Sequence, residues 1–259
     1  MSDQAGNAAI EFLNVTFRTA EGRTLLSNLN LRVQRGETLV LLGRSGSGKT
    51  TTLKLINGLL TGQEGKILVD GKAIQDWDLI RLRRHIGYAI QDVGLFPHIT
   101  VERNLGLVPR LEKWPPERIR ARTEELLNLV GLPADEFRNR YPNQLSGGQR
   151  QRVGLGRALA SDPPILLMDE PFGALDPLTR ADIQREFKSL QQRLNKTVVF
   201  VTHDVREAIL LGQRIAVMDA GRLLGVYAPG EFLQSREPVV SDYVNVLRSE
   251  MNLFENLEK

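Results

Sequence analysis

The residues with the plainest chemistry are Gly43-Arg44-Ser45-Gly46-Ser47-Gly48-Lys49-Thr50, a glycine, four residues, then Gly-Lys-Thr. Glycines let the backbone curl until successive amide hydrogens face one anion, and a helix starting here adds its positive end. Lys49 is then placed to bridge the β- and γ-phosphate oxygens of a nucleoside triphosphate, and the Thr50 hydroxyl to ligate Mg²⁺. Further on, the apolar run 165–168 ends in two adjacent carboxylates, Asp169 and Glu170. Behind a phosphate loop, Asp169 can hold the Mg²⁺ through water, while Glu170 orients or deprotonates the attacking water. His203 follows the apolar run 197–201, and Gln91 follows 86–90. Strand ends on the carboxyl side of a parallel sheet converge on the ligand crevice. His203 is therefore expected to hydrogen-bond the γ-phosphate and Glu170, and Gln91 to ligate Mg²⁺ or touch the attacking water. Alone, neither residue would carry such a reading.

A second motif, Leu145-Ser146-Gly147-Gly148-Gln149, precedes a run to Ala160 that reads as a helix. Ser146 and the two glycines form another anion-binding helix start. One chain cannot readily aim two such sites at one nucleotide when they lie on different lobes. A head-to-tail dimer solves this, with Ser146, Gly147, Gly148 and Gln149 closing on the γ-phosphate held by the partner's loop. A monomer is then expected to be nearly inactive.

Those side chains need a scaffold, and the pattern of the chain supplies one. Residues 10–15 and 29–33 roughly alternate, with turn signals at Gly22 and Arg35-Gly36. The run 38–42 is continuously apolar, as in a strand buried on both faces of a parallel sheet, and it feeds directly into the phosphate loop. A helix over 50–60 follows, with Leu53, Ile56, Leu59 and Leu60 at helical spacing. Strand character returns at 66–69 and 86–90, separated by Asp70-Gly71 and a basic stretch. From 100 to 160 the pattern is helical and punctuated by prolines, with Ile119, Leu126, Leu127 and Val130 three to four apart. Two more buried strands, 165–168 and 197–201, are joined by a helix over 178–193, and 213–226 reads as a closing hairpin turning at Asp219-Ala220-Gly221. Alternating strands and helices around a phosphate loop imply an α/β fold with a mostly parallel sheet.

Composition sets the outer limits. The 259 residues are 41% hydrophobic, enough for a proper core, and 34 basic against 31 acidic residues leave only +3, a weak argument for nucleic acid. Cysteine is absent, which excludes disulfides, thiolate metal sites and a cysteine nucleophile and accords with a cytosolic location. The first seven residues carry neither a basic nor an apolar region of a secretory signal. No apolar run approaches the ~18 residues that a membrane span needs, so a partner must hold the protein at any membrane.

Taken together, these motifs make the chain resemble the ATP-binding subunit of an ABC transporter, from Ile10 to about Val240. The resemblance implies a P-loop NTPase, ABC ATPase fold in a single domain, 1–259. In it, 10–90 and 161–240 form a nucleotide-binding core with an N-terminal antiparallel β lobe. An inserted helical lobe over 92–160 carries the signature, and 242–259 is a C-terminal helical tail. By resemblance, the ATP-binding set is Gly43, Arg44, Ser45, Gly46, Ser47, Gly48, Lys49, Thr50 and Thr51, of which 43–50 is the Walker A loop. Gln91 matches the Q-loop glutamine, Asp169 and Glu170 the Walker B pair, Ala174-Leu175-Asp176 the D-loop, and His203 the switch histidine. Glu170, His203 and Gln91 are the implied catalytic residues, and Thr50, Gln91 and Asp169 the Mg²⁺ set. The implied cofactors are ATP and Mg²⁺. The implied partners are a second copy of the chain and an integral membrane permease, with a solute-binding protein acting indirectly. The implied location is the cytoplasmic face of the cell membrane.

The wording 170–177, Glu-Pro-Phe-Gly-Ala-Leu-Asp-Pro, resembles importers fed by a substrate-binding protein. The segments 82–88 and 91–98 look most like quaternary-amine importers of glycine betaine, choline or carnitine. The segment 92–98 and the adjacent helical lobe are the expected permease surface. The chain departs from the family in having Thr19 where an adenine-stacking aromatic is usual; strand alternation turns Phe17 toward the core, although a shifted register would let it stack instead. Val244, Leu247 and Met251 suggest a short amphipathic terminal helix over 242–259 rather than a regulatory sensor domain. Two competing readings share the chemistry: an ABC ATPase of another importer or lipid-transport system, and a non-transport ABC ATPase acting on nucleic acid or ribosomes. For the latter, Arg81 to Arg84 and Arg118-Ile119-Arg120-Ala121-Arg122 could serve as basic patches, but a solvated helix face accounts for both, and no nucleic-acid partner is expected.

Overall fold

The computed structural model describes residues 8–90, 93–173 and 175–257, and the side chains of all of these except 190, 192–194 and 250–257. Gln91, Asp92 and Ala174 lie outside the described residues, and so do the roles expected of them. The chain groups into two compact units, one built from 1–74 and 199–259, the other from 75–198.

In the first unit the chain runs through β1 (Ala8–Arg18), β2 (Thr24–Gln34), β3 (Thr38–Leu42), α1 (Lys49–Ile56), β4 (Glu64–Val69) and β5 (Lys72–Ala73). An antiparallel sheet has the order β2-β1-β4-β5. The alternation in β1 changes phase: Ile10 and Phe12 are buried, then Val15 and Phe17. A register shift between Phe12 and Val15 causes this, with Asn14 at φ 52° and its amide hydrogen-bonded to Asn30 Oδ1 at 2.9 Å. Phe17 is thereby turned into the core, paired across from Leu26, while Thr19 sits in the β1–β2 turn. All five residues of β3 are buried, as a strand covered on both faces requires. Helix α1 closes at Ile56 rather than near residue 60, because Asn57 caps it and Gly58 turns left-handed at φ 64°.

The second unit begins with α2 (Leu79–His85), a helix where the basic stretch interrupts the strand pattern; Asp78 caps it by accepting the Arg81 amide at 2.8 Å. It continues with β6 (Ile86–Ala89), α3 (Val101–Leu105), α4 (Leu107–Leu111), α5 (Pro116–Leu129), α6 (Ala134–Phe137), α7 (Gly147–Ala158), β7 (Ile165–Asp169) and α8 (Pro177–Leu194). Strands β6 and β7 pair in parallel, Ile86 opposite Ile165 through Ala89 opposite Met168. Helix α5 has proline at its start and buries Ile119, Thr123, Leu126 and Leu127, one face at helical spacing. Arg122 of this helix donates to the carbonyls of Leu159 at 2.8 Å and Ala160 at 3.2 Å, which end α7, and pairs with Glu125 at 2.8 Å.

Along β8 (Thr197–Thr202) the chain returns to the first unit, which it completes with α9 (Val205–Leu211), β9 (Arg214–Asp219), β10 (Arg222–Tyr227), α10 (Pro229–Gln234) and α11 (Pro238–Leu257). There the strands run in the order β10-β9-β3-β8, with β3 and β9 parallel and β9 and β10 an antiparallel hairpin. The hairpin turns at Ala220, φ 43°, and Gly221, φ 78°. The molecule is thus α/β, with parallel-paired core strands, an antiparallel N-terminal sheet and a helical portion carried within the second unit.

Candidate functional site

In the first unit, β3 delivers the chain at Leu42 into the glycine loop. A Cβ on Gly43 would lie 2.3 Å from the Met218 carbonyl oxygen and 2.6 Å from Ser47 Oγ, so only glycine fits. At Gly48 the backbone is left-handed, φ 101°, and a Cβ would meet Leu26 Cδ2 at 2.6 Å. Lys49 is 5% exposed, and its ammonium lies back along the loop, donating to the Gly43 carbonyl at 2.8 Å and the Arg44 carbonyl at 2.9 Å. Among the described residues Ser47 Oγ is buried without a hydrogen-bond partner, a polar atom that a phosphate oxygen would satisfy. Arg44, Ser45 and Gly46 are exposed on the outer face of the loop, and Thr50 and Thr51 are half-buried in the first turn of α1. The donor set fits a phosphate with a divalent cation: a buried ammonium, serine and threonine hydroxyls, and a helix start without a side-chain cap.

His203 stands exposed one residue beyond β8. Thr202 fixes that turn: its buried hydroxyl donates to Glu207 Oε2 at 2.6 Å and accepts the Asp204 amide at 2.9 Å. Arg44 and His203 line one cleft of about 400 Å³, together with Asp204, Arg206 and, from α11, Asp242 and Tyr243. Burial pushes the Tyr243 hydroxyl above its usual range, the Arg44 guanidinium opposes that shift, and Asp219 adds to it. Tyr243 therefore faces the phosphate loop's side of the unit, a placement the sequence pattern does not single out. The signal available was the row Val239, Tyr243, Val246 along one face of a helix.

In the second unit, Asp169 ends the wholly buried β7 and is 9% exposed. The Tyr88 hydroxyl on neighbouring β6 hydrogen-bonds its carboxylate; burial first, then the Asp169 charge and that bond, push the Tyr88 hydroxyl well above its usual range. This partner is missing from the sequence reading because only the β6–β7 register brings it there. Glu170 leaves the strand left-handed at φ 44°, a conformation that a non-glycine residue seldom adopts. The Gln151 side-chain amide on α7 donates to the Pro171 carbonyl just beyond it.

The glycine motif at 145–149 starts α7 as a reciprocal capping box. The Gln149 amide donates to Ser146 Oγ at 3.2 Å and the Ser146 amide to Gln149 Oε1 at 2.9 Å. In that role Ser146 Oγ is an acceptor, so its own hydroxyl hydrogen can still donate to an anion. Leu145 anchors the motif in the core, and Gly147 is exposed, with Arg150 Nη2 4.0 Å from where a Cβ would sit. Gly148 packs on α8, where a Cβ would meet Thr179 Cγ2 at 2.5 Å. Asp176 caps the same helix by accepting the Thr179 amide at 3.0 Å, and the Thr179 side chain and amide hold its carboxyl below the usual range. The structure thus gathers Ser146, Gly147, Gly148, Gln149 and Asp176 in one place within this unit, through Thr179.

Residues 26–173 match the model of the ABC transporter family. The chain is 51% identical over 222 residues to the choline transport ATP-binding protein OpuBA of Bacillus subtilis, covering 86% of this chain and 58% of that protein. It is 50% identical over 226 residues to the osmoprotectant import ATP-binding protein OsmV of Salmonella typhimurium, covering 86% and 59%. The chain therefore spans less than two thirds of the length of these relatives. Among solved structures, a dimeric post-hydrolysis state of the ATP-binding cassette MJ0796 bound to ADP and Pi matches with TM-score 0.76 and 38% identity. That match covers 85% of this chain and 98% of that one.

Proposed function

This chain belongs to the ABC transporter family, and on that premise we propose that it is the ATP-hydrolysing subunit of an importer, dimerising on ATP to drive a separate membrane permease. The observation that carries the proposal is the open start of α7: Gly147 is exposed, and the capping box leaves the Ser146 hydroxyl able to donate. A signature used only for packing would be closed over.

In this reading the loop 43–51 grips the triphosphate. Lys49 exchanges the Gly43 and Arg44 carbonyls for β- and γ-phosphate oxygens, and the Ser47 hydroxyl gains a partner. Thr50, Gln91 and Asp169 would hold Mg²⁺, which would supply neutralisation of the phosphate charge. Tyr88 keeps the Asp169 carboxylate oriented. Glu170 takes the proton of the attacking water, and His203 hydrogen-bonds the γ-phosphate. Ser146, Gly147, Gly148 and Gln149 complete the site of a second copy, with Asp176 beside them.

The permease reading is supported by a groove of about 330 Å³ in the second unit, edged by Arg83, Arg84, Phe96, Leu107 and Val108. Phe96 is 42% exposed there, so an apolar face of a cytoplasmic helix would suit it. No described helix is long and apolar enough to cross a membrane, which fits attachment at the cytoplasmic face through such a partner. The solute is assigned as a quaternary amine, from the relatives' named choline and osmoprotectant transport. The test is uptake of labelled choline and glycine betaine into proteoliposomes holding the chain with a candidate permease and solute-binding protein from the same organism. ATP-dependent accumulation is expected; accumulation of an inorganic anion in their place would overturn the solute, and no ATP-dependent uptake of any solute would overturn the importer.

A further inference from the structure

Among the described residues Leu178 is the most exposed large apolar side chain, at 80%. It stands in the first turn of α8, and that turn is held firmly. Asp176 caps it, the Arg180 guanidinium donates to the Leu175 carbonyl at 3.1 Å, and Leu175 itself is buried. The next residue, Thr179, packs on Gly148, so Leu178 belongs to the same surface as the 145–149 motif. A lone exposed leucine is ordinary. One fixed beside an anion-binding helix start is placed to meet whatever that start meets.

In the first unit, the cleft of about 400 Å³ beside the phosphate loop has an apolar side. Helix α11 is anchored by Val240 and Val244, 0% and 4% exposed, and lines the cleft with Val239, Tyr243 and Val246, which share one helix face at i, i+4 and i+7. Val246 is still 57% exposed there. Arg44 and Arg206 line the same cleft, and Asp176, two residues before Leu178, carries the opposite charge.

We propose that Leu178 of one copy seats against the Val239, Tyr243 and Val246 side of the other copy's cleft, which makes α11 part of the surface on which two copies close. The proposal rests on the reading in which 145–149 closes on a partner's phosphate, and adds to it an apolar anchor that ATP does not supply. Bringing Ser146 to a phosphate held by the loop 43–51 carries Leu178, beside Ser146, toward the cleft that Arg44 and His203 share. In a two-fold pair the contact occurs twice, so each dimer buries two leucines.

Both positions are exposed, so substitutions there spare the core. Sedimentation velocity of the full chain carrying Glu170→Gln, with and without Mg²⁺ and ATP, measures the association. Leu178→Ala is expected to weaken the ATP-driven dimer by at least ~10-fold, two buried leucine side chains being truncated per dimer, while binding of a fluorescent ATP analogue to the monomer is unchanged. Val246→Asp should weaken the dimer comparably. The chain contains no cysteine, so Leu178→Cys with Val246→Cys supplies the only thiols, and mild oxidation should join two copies with ATP and not without it. An ATP-driven dimer that is as tight with Leu178→Ala or Val246→Asp, that gives no disulfide in the double cysteine variant, or that Leu178→Cys alone cross-links, overturns the contact. A Glu170→Gln chain that stays monomeric with ATP overturns the dimer reading and the contact with it.

Discussion

Thr202→Val offers the sharpest test of how His203 is held. Thr202 is 2% exposed, and its hydroxyl spans a 2.6 Å bond to the Glu207 carboxylate and a 2.9 Å bond from the Asp204 amide. Valine keeps the shape of the side chain but removes both bonds, while Glu207 remains buried at 6% exposure. A hydrogen bond to a charged acceptor and one to a neutral amide together contribute about 2–4 kcal/mol. For a chain of this size that corresponds to a fall of roughly 5–10 °C in melting temperature. Because the turn presenting His203 loses its brace, ATP turnover should fall more than ATP affinity. Thr202→Ser keeps the hydroxyl and should lose only ~1 kcal/mol, the burial of one methyl. Urea and thermal unfolding of the three proteins, with phosphate-release kinetics, decide the matter. If valine were as stable as threonine, or serine as damaging as valine, the hydroxyl would not be what organises the turn.

Glu170→Gln should bind ATP yet hydrolyse it at least ~100-fold more slowly, as loss of a general base requires; unchanged phosphate release would remove Glu170 from that role. Tyr88→Phe breaks the bond to Asp169 and should cost about 1 kcal/mol and raise the Mg²⁺ concentration for half-maximal ATPase, read in a Mg²⁺ titration. Asp176 has its folded pKa lowered by Thr179, so its contribution is present above the unfolded value of ~4 and is lost as pH falls through the lower folded value. Asp176→Asn, still a good cap, should flatten that acid limb in urea midpoints measured across it, and an unchanged limb would deny the linkage.

Much of the site is written in short, contiguous stretches. The loop 43–50, the 145–149 motif and the Asp169-Glu170 pair are legible because their chemistry needs only neighbours: glycines where the backbone must curl, a serine and glutamine three apart to cap a helix, carboxylates at the end of an apolar run. The wholly buried β3 and β7 are legible for the same reason, since a strand covered on both faces must be apolar throughout. Helix α2 was hidden because its basic residues follow no apolar period; its start is decided by one capping carboxylate, Asp78.

Other features depend on residues distant in sequence, whose meeting no local period encodes. The β6–β7 register sets Tyr88 against Asp169, the fold of the helical portion seats Val93 in the Gly154 notch, and α11 carries Tyr243 into the cleft of Arg44 and His203. Even the phase of β1 was settled by a bulge at Asn14, where pairing to two strands outweighed simple alternation. The sequence by itself therefore determined the local motifs that are proposed to grip and cleave a triphosphate, because each needs only neighbouring residues. Tertiary structure alone decided which side chains orient and connect them, because those contacts exist only once packing has brought separate segments together.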